Sequence, residues 1–179
     1  MGATRRIIFF KNNLQRLNTE VRKNMNINPY WVTGFTDGEG SFYVGINKNS
    51  TMINGYQILP EFRIVQHKKD IKLLHVLKRF FKCGVVRVNH DDRYELRIRS
   101  IEHINKIIIP HFQKFPLITQ KKFDFIKFSK IINLINQKEH LNLKGIVKII
   151  DLASKMNRQK KIKALKIKDK ILGQDKVHA

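Results

Sequence analysis

Residues 41–48 alternate between apolar and polar side chains with a period of two, which predicts a β-strand, and residues 56–66 are predicted to form the returning strand. The intervening residues 49–55 are rich in Asn, Ser and Gly, so the two strands are expected to form an antiparallel hairpin. Pro60 has no backbone N–H to donate, which predicts an edge position or a bulge. The predicted core face of the first strand consists of Phe42, Val44 and Ile46.

The same period returns in residues 85–89 and 93–99, on either side of a turn at 90–92. In the later strand, apolar residues at even positions alternate with charged residues at odd positions. One face of this second hairpin is therefore predicted to pack on the core and the other to be polar. The charged positions are Arg93, Glu95, Arg97 and Arg99.

Apolar residues with helical spacing are found before, between and after the two hairpins. Pro29 suits the first turn of a helix that is expected over residues 30–38 and ends at the glycines that follow. Asp70 is placed to cap a second helix, which closes at Gly84. Further predicted helices cover residues 100–109, 119–136 and 142–156, and Pro110 and Pro116 bracket a break.

This order of elements predicts an α+β domain with one four-stranded antiparallel sheet, spanning residues 29–157. The flanking segments are basic. Residues 1–28 fit a transit-like leader, an arm that contacts nucleic acid, or a solvated extension. Residues 158–179 fit a helix lying along phosphates, which we favour, a membrane-surface helix, or a solvated end.

Charge points to a class of partner. The 179-residue chain has 36 Lys and Arg against 14 Asp and Glu, a formal net charge of +22. A charge of this sign and size favours nucleic acid, with a basic ribosomal or membrane-surface protein as the competing interpretation. The single cysteine, Cys83, excludes an intrachain disulfide. No apolar run approaches the ~20 residues of a membrane span, so no membrane partner is expected.

Two acids stand among glycines where the first helix meets the first strand. The segment 32–40 reads Val-Thr-Gly-Phe-Thr-Asp-Gly-Glu-Gly and contains Asp37 and Glu39. Carboxylate oxygens are the ligands that hard divalent cations prefer. Acids two residues apart diverge by roughly 200° around a helix, so one of them is expected to face a substrate. A polar turn with a capping acid is the alternative.

This segment resembles the nine-residue signature of the LAGLIDADG homing endonucleases. Gly34, Asp37 and Gly40 match the signature, and Glu39 stands where that family keeps its metal-binding acid. The resemblance covers residues 28–157 and implies the αββαββα fold of that family. It also implies a site-specific endonuclease that cuts double-stranded DNA with Mg²⁺ or another divalent cation.

The resemblance also implies site residues. It places the cation at Glu39, next to Gly38, and gives Asp37 the role of holding the helix end and its backbone. The implied catalytic residues are Glu39, Gln66 of the Phe-x-x-x-Gln segment 62–66, and Lys121, with Lys122 as the other lysine that could reach a phosphate. For the two lysines, the alternative is a solvated helix start.

Gly34 and Gly38 lie four residues apart and leave one stripe of the helix without side chains. The crossing element is either another helix of the same chain or the same helix of a second chain. The motif occurs once, whereas cutting two strands requires two sites. An endonuclease of this kind is therefore expected to be a homodimer acting on a near-palindromic site.

The polar face of the sheet is the predicted surface for contact with DNA bases. Arg, Asn, Gln and Glu side chains can read base edges in the major groove, and a row of arginines is unusual on a merely solvated face. The predicted contact residues are Tyr43, Asn47, Gln57, Glu61, Arg63, Arg87, Asn89, Arg93, Glu95 and Arg97.

A second function also fits the sequence. A non-catalytic RNA-binding protein of the same fold, either an intron maturase or a component of an organellar ribosome, would bind structured or ribosomal RNA. It needs the basic faces but does not need Glu39. The abundance of Lys, Ile and Asn, which have A/T-rich codons, predicts a mitochondrial or other organellar location.

Overall fold

A computed structural model describes residues 27–156, 167–169 and 171. The predicted basic extension before residue 27 lies outside the described residues, as does most of the predicted C-terminal tail. The four predicted strands form one antiparallel sheet with the order β1-β2-β4-β3, which confirms the α+β architecture. The strands are β1 (Gly40–Lys48), β2 (Tyr56–His67), β3 (Val85–His90) and β4 (Arg93–Ile98).

The helices cover one face of this sheet. Within the described residues, none of them is long and apolar enough to cross a bilayer. Two short 3₁₀ turns, Lys68–Asp70 and Glu139–Leu141, precede α2 and α5 respectively. The helices are α1 (Pro29–Glu39), α2 (Ile71–Phe81), α3 (residues 101–114), α4 (Lys121–Asn136) and α5 (Leu143–Ser154).

Phe42 lies at the centre of the core, on the face of β1 that the alternation predicts. Val44 and Ile46 are buried with it, as expected. Burying a large apolar side chain contributes about 1.5–3 kcal/mol, so this cluster is a principal source of stability. The ring centroids of Phe62, Phe112, Phe125 and Phe128 lie 5.2, 5.5, 5.3 and 5.3 Å from that of Phe42.

Pro60 occupies the predicted edge position even though β2 is an inner strand. The register of β2 with β1 is regular from Gly40 opposite Ile64 to the end of the hairpin, so no bulge forms at Pro60. The pairing of β2 with β4 begins only at Phe62. Pro60 therefore lies in the part of β2 that extends beyond β4, where β1 is the only strand among the described residues that pairs with it.

The predicted break at Pro110 is wrong, because α3 continues to residue 114. The helix is α-helical over Ile101–His103, π-helical over Ile104–Ile108 and α-helical again over Ile109–Lys114. A proline cannot donate to the carbonyl one turn earlier. The wider π turn before Pro110 changes the hydrogen-bond register at this point, and so accommodates the missing donor.

The predicted cap at Asp70 is also wrong. The Asp70 side chain makes no capping hydrogen bond to α2. A 3₁₀ turn over Lys68–Asp70 precedes α2, and its own cap is His67, whose side chain accepts from the Lys69 N–H at 3.1 Å.

The first helix runs directly into the first strand. α1 ends at Glu39, one residue later than predicted, and β1 begins at Gly40 without an intervening loop. A Cβ atom at Gly40 would lie 2.5 Å from Thr36 Cγ2 and 2.8 Å from the Thr36 carbonyl oxygen. Only glycine permits this close passage, which fixes the direction of α1 relative to the sheet.

Candidate active site

Glu39 is the last residue of α1, and its side chain is exposed at the end of the sheet where β1 begins. Its carboxylate has no hydrogen bond or ion pair with another described residue. An exposed carboxylate at a helix end is available to bind a cation, and the only charge described as acting with it is that of Lys121.

Asp37 has different surroundings from Glu39, although the two acids are only two residues apart. The Asp37 carboxylate accepts from the Ile118 N–H at 2.9 Å, from the Thr119 N–H at 3.4 Å and from the Thr119 hydroxyl at 2.6 Å. Asp37 thereby fastens α1 to the segment that leads into α4.

Lys121 begins α4 and places its ammonium group at the C-terminal end of α1. The Nζ atom donates to the carbonyl oxygens of Thr36 and Asp37 at 2.8 Å each, and to that of Gly38 at 3.4 Å. A cation there compensates the negative end of the helix dipole. Burial lowers the pKa of Lys121, an effect that the charges of Asp37, Glu39 and Asp124 oppose.

Lys121 and Lys122 therefore differ in what they can reach. The hydrogen bonds of Lys121 commit its ammonium group to the end of α1 in this structure. Lys122 is exposed, on the outer side of α4. Of the two lysines, Lys122 is the one whose charge faces solvent.

Gln66 lies near the end of β2, at the same end of the sheet as Glu39. The β1–β2 register sets Ile64 opposite Gly40, and Gln66 is two residues beyond Ile64. Its cross-strand partner on β4 is Tyr94. The structure therefore gathers Glu39, Gln66 and Lys121 at one end of the sheet.

The donor atoms at the end of α1 fit a hard divalent cation only in part. The Glu39 carboxylate and the Gly38 carbonyl supply oxygen, which such cations prefer. Within the described part of the chain, no group of three or more His, Cys, Asp and Glu residues could hold a metal. One chain thus supplies one carboxylate, and a fuller set of ligands requires a second chain or a bound substrate.

The outer face of α1 is bare. A Cβ atom at Gly34 or Gly38 would meet nothing within 4 Å, so no described element of the same chain crosses these glycines. Trp31, one turn before, is 45% exposed and stacks on Phe35 with ring centroids 5.0 Å apart. Glycine in a helix costs about 0.5–1 kcal/mol relative to alanine, and nothing within the described chain explains that cost here.

The face of the sheet opposite the helices carries the predicted base-contacting residues. Four of them are exposed: Asn47, Arg87, Asn89 and Arg93. Four are partly buried: Tyr43, Gln57, Arg63 and Arg97.

Glu61 and Glu95 differ from the prediction, because their side chains are buried. Glu61 is 3% exposed and Glu95 is 2% exposed. Arginine side chains from β2, β3, β4 and the residue that follows β4 cover both carboxylates and pair with them. Neither carboxylate is presented to a base in this structure.

Arg99 is a member of this surface that the predicted set omits. It follows the last residue of β4, and its Nε donates to Glu61 Oε1 at 2.5 Å. The alternation of residues 93, 95 and 97 extends to position 99 and could have identified it.

Comparisons with known proteins agree with this fold. The model of the family described as LAGLIDADG endonuclease matches residues 32–132. Probable intron-encoded endonuclease 2 of Neurospora crassa is 36% identical over 133 residues, which are 73% of this chain. The chain spans only 29% of the length of that protein.

Two solved structures are similar in both sequence and fold. The homing endonuclease I-TnaI is 50% identical with a TM-score of 0.79, over 82% of this chain and 99% of that one. I-SmaMI, bound to an uncleaved DNA target in the presence of calcium ions, is 40% identical with a TM-score of 0.73. That similarity covers 74% of this chain and 46% of I-SmaMI. The chain belongs to the LAGLIDADG endonuclease family.

Proposed function

We propose that this chain is a site-specific DNA endonuclease that cuts both strands of a near-palindromic site as a homodimer, with Mg²⁺ or another divalent cation. The observation that carries the proposal is the exposed Glu39 carboxylate at the end of a helix whose outer face is bare. The calcium ions and DNA target described for the similar I-SmaMI support the same partners here.

The roles of the site residues follow from their surroundings. Glu39 and the Gly38 carbonyl would hold the cation, which would supply an activated water and charge stabilisation. Lys121 keeps the end of α1 in place by donating hydrogen bonds to the carbonyl oxygens of Thr36 and Asp37. Lys122 is free to contact a phosphate as a point charge, and Gln66 orients solvent at the neighbouring strand end.

The homodimer accounts for the bare face of α1. Two copies of α1 can approach closely where Gly34 and Gly38 leave no side chain between them. Since Glu39 ends the same helix, such pairing brings two Glu39 carboxylates to the twofold axis, one for each DNA strand. The outer faces of the two sheets then lie along the duplex on either side of the cuts.

The cell compartment is proposed from the relatives. Several similar fungal proteins are described as intron-encoded, and the chain is rich in residues with A/T-rich codons. We place the protein in a mitochondrion or another organelle.

Replacing Glu39 tests the nuclease. Wild-type protein is expected to linearise members of a plasmid library with randomised inserts when Mg²⁺ is present, and to be inactive in EDTA. Glu39→Gln is expected to abolish cutting while leaving duplex binding intact, because it removes one metal-binding charge and little volume. Glu102→Gln is the matched control, because Glu102 lies on α3 and pairs only with Lys106 among the described residues.

The decisive measurement is cleavage by Glu39→Gln beside its binding to labelled duplex. Cutting at the wild-type rate by this variant would exclude Glu39 as the metal-binding acid. If wild-type protein cuts no library member but binds structured RNA tightly, the nuclease function is excluded and the non-catalytic RNA-binding function is favoured.

A further inference from the structure

Two carboxylates lie beneath the arginines of the outer sheet face. The exposed fraction of the whole residue is 3% for Glu61 and 2% for Glu95, on a face that is otherwise polar and open. The arginine side chains that cover them are far more exposed, at 26% for Arg63 and 47% for Arg87. Positive groups therefore form the surface, and negative groups form the layer below.

Each carboxylate serves more than one arginine. Glu95 lies 3.4 Å from Arg87, 3.8 Å from Arg97 and 3.9 Å from Arg63, measured between the charged nitrogen and oxygen atoms. Glu61 pairs with Arg99 and lies 3.5 Å from Arg63. Arg63 thus bridges the two glutamates and also lies over the ring of Tyr43, at 4.9 Å from its centroid.

The strand register brings two arginines together, and the carboxylates offset the repulsion between them. Arg63 of β2 lies directly opposite Arg97 of β4, a like-charge pair that is unfavourable by itself. Val65 and Glu95 form the next pair in one direction along the strands. Glu95 and Glu61 therefore flank the arginine pair and separate its charges.

The cluster keeps an excess of positive charge. Four arginines, at positions 63, 87, 97 and 99, share two glutamates, which leaves a net charge of about +2 on this patch for phosphate or base contact. The Glu95 Oε2 atom has no hydrogen bond with a described residue, so its contact with Arg63 is purely electrostatic.

We propose that Glu61 and Glu95 are positioning residues that set the base selectivity of DNA binding by holding these four arginines in fixed orientations over the sheet. The proposal rests on the proposed function, because it concerns how the same protein recognises its DNA site. The glutamates touch no base; they act through the arginines.

The physical reason is preorganisation. A free arginine side chain loses rotamer entropy when it is fixed on a partner. A guanidinium that is already oriented makes two hydrogen bonds to guanine at lower cost, and such a pair discriminates between bases by about fivefold or more. A released arginine still binds phosphates, which carry no sequence information.

The two kinds of contact respond in opposite directions when a glutamate is removed. Glu95→Gln adds one positive charge to the patch and frees Arg87 and Arg97. Binding to duplex of arbitrary sequence is expected to tighten, and its dependence on salt to steepen by about 1 in the log–log slope. Selectivity is expected to fall at the same time, whereas a merely structural role would not lower selectivity while tightening arbitrary binding.

The experiment is a binding selection on a randomised duplex library in Ca²⁺, followed by sequencing, with wild type, Glu95→Gln, Glu61→Gln and Glu102→Gln. Glu102→Gln makes the same charge change on α3, away from the sheet face. Both sheet variants are expected to lose about fivefold or more of the discrimination at wild-type guanine positions. The control is expected to select the wild-type sequence.

The outcomes separate the two proposals. Thermal unfolding establishes that each variant is folded. If Glu95→Gln does not fold, Glu61→Gln still measures the change in selectivity. Sheet variants that select the wild-type sequence with undiminished preference would overturn the positioning role while leaving the nuclease intact. Wild-type protein that enriches no sequence would overturn site-specific recognition itself, and the positioning role with it.

Discussion

At the scale of single residues, surroundings separate two acids that the sequence places side by side. Asp37 is bound by three donors from the segment before α4, whereas Glu39 faces solvent. Their spacing predicts that only one of them faces outward. The identity of the outward acid follows from where Ile118 and Thr119 lie, about 80 residues later in the chain.

Asp37→Ala is expected to lower the free energy of unfolding by about 1–2 kcal/mol, because three donors lose their acceptor. Urea denaturation measures the change. The matched control is Asp92→Ala: Asp92 is exposed and pairs with Lys68 at 2.6 Å, a surface ion pair that contributes less than about 1 kcal/mol. Equal losses for the two variants would show that Asp37 is no more than a surface acid.

His111 makes stability depend on pH. Its ring packs on Phe112, with centroids 4.7 Å apart, and its Nε2 atom lies 3.4 Å from the Thr33 hydroxyl. Burial lowers the pKa of His111 from 6.5 to about 4. Between these values the unfolded chain binds a proton that the folded chain does not, so stability is lost as the pH falls from 6.5 to 4.

The expected loss approaches about 1 kcal/mol for each pH unit in this window. His111→Phe keeps the aromatic packing and removes the titrating group, so its stability is expected to change less between pH 7 and pH 5. Urea midpoints at the two pH values measure this difference, with the exposed His75→Gln as the control. A wild-type midpoint that is constant over the window would contradict the role of His111.

At the scale of elements, local patterns predicted what local forces determine. Period-two alternation identified both hairpins, since the two faces of a strand meet core and solvent alternately. The π turn at Ile104–Ile108 was not predictable, because it reconciles Pro110 with a helix that tertiary packing continues. The burial of Glu61 was not predictable either, since Arg99, its partner, comes from another hairpin.

Gly34 in the first helix and Gly40, the first residue of β1, give predictions with opposite results. Gly34→Leu is expected to leave the fold intact, because nothing in the described chain lies near Gly34, and to abolish self-association and cleavage. Gly40→Ala is expected to destabilise the fold by about 1–3 kcal/mol, because its Cβ would press on Thr36.

Sedimentation velocity and thermal unfolding of both variants distinguish these effects. A Gly34→Leu protein that remains dimeric would exclude α1 as the contact between subunits. A Gly40→Ala protein as stable as wild type would show that the end of α1 can shift to admit a side chain.

At the scale of the whole molecule, part of the basic charge is concentrated on one face of the sheet. The outer face of the sheet carries five arginines, four from β2, β3 and β4 and one that directly follows β4, and two glutamates that lie below them, while the opposite face packs on the apolar core. Charge and core thus occupy the two sides of one sheet. The arginines are Arg63, Arg87, Arg93, Arg97 and Arg99.

Binding to duplex DNA of arbitrary sequence is therefore expected to weaken steeply with salt. The five arginines less the two glutamates below them leave about three positive charges, which give a log–log slope of about −2.7, or roughly a 40-fold loss of affinity between 50 and 200 mM salt. Fluorescence anisotropy of a labelled duplex in EDTA measures the slope. Arg93→Gln is expected to reduce its magnitude by about 1, and a slope near zero would show that this face does not meet phosphates.

No loop separates α1 from β1, because the helix ends at Glu39 and the strand begins at Gly40. If two subunits meet through α1, any change in the angle at which the helices cross must swing each sheet along the duplex by the same rotation. The number of base pairs tolerated between half-sites then becomes a mechanical property of the helix pair. Substitutions inside α1, far from every base, would retune that spacing.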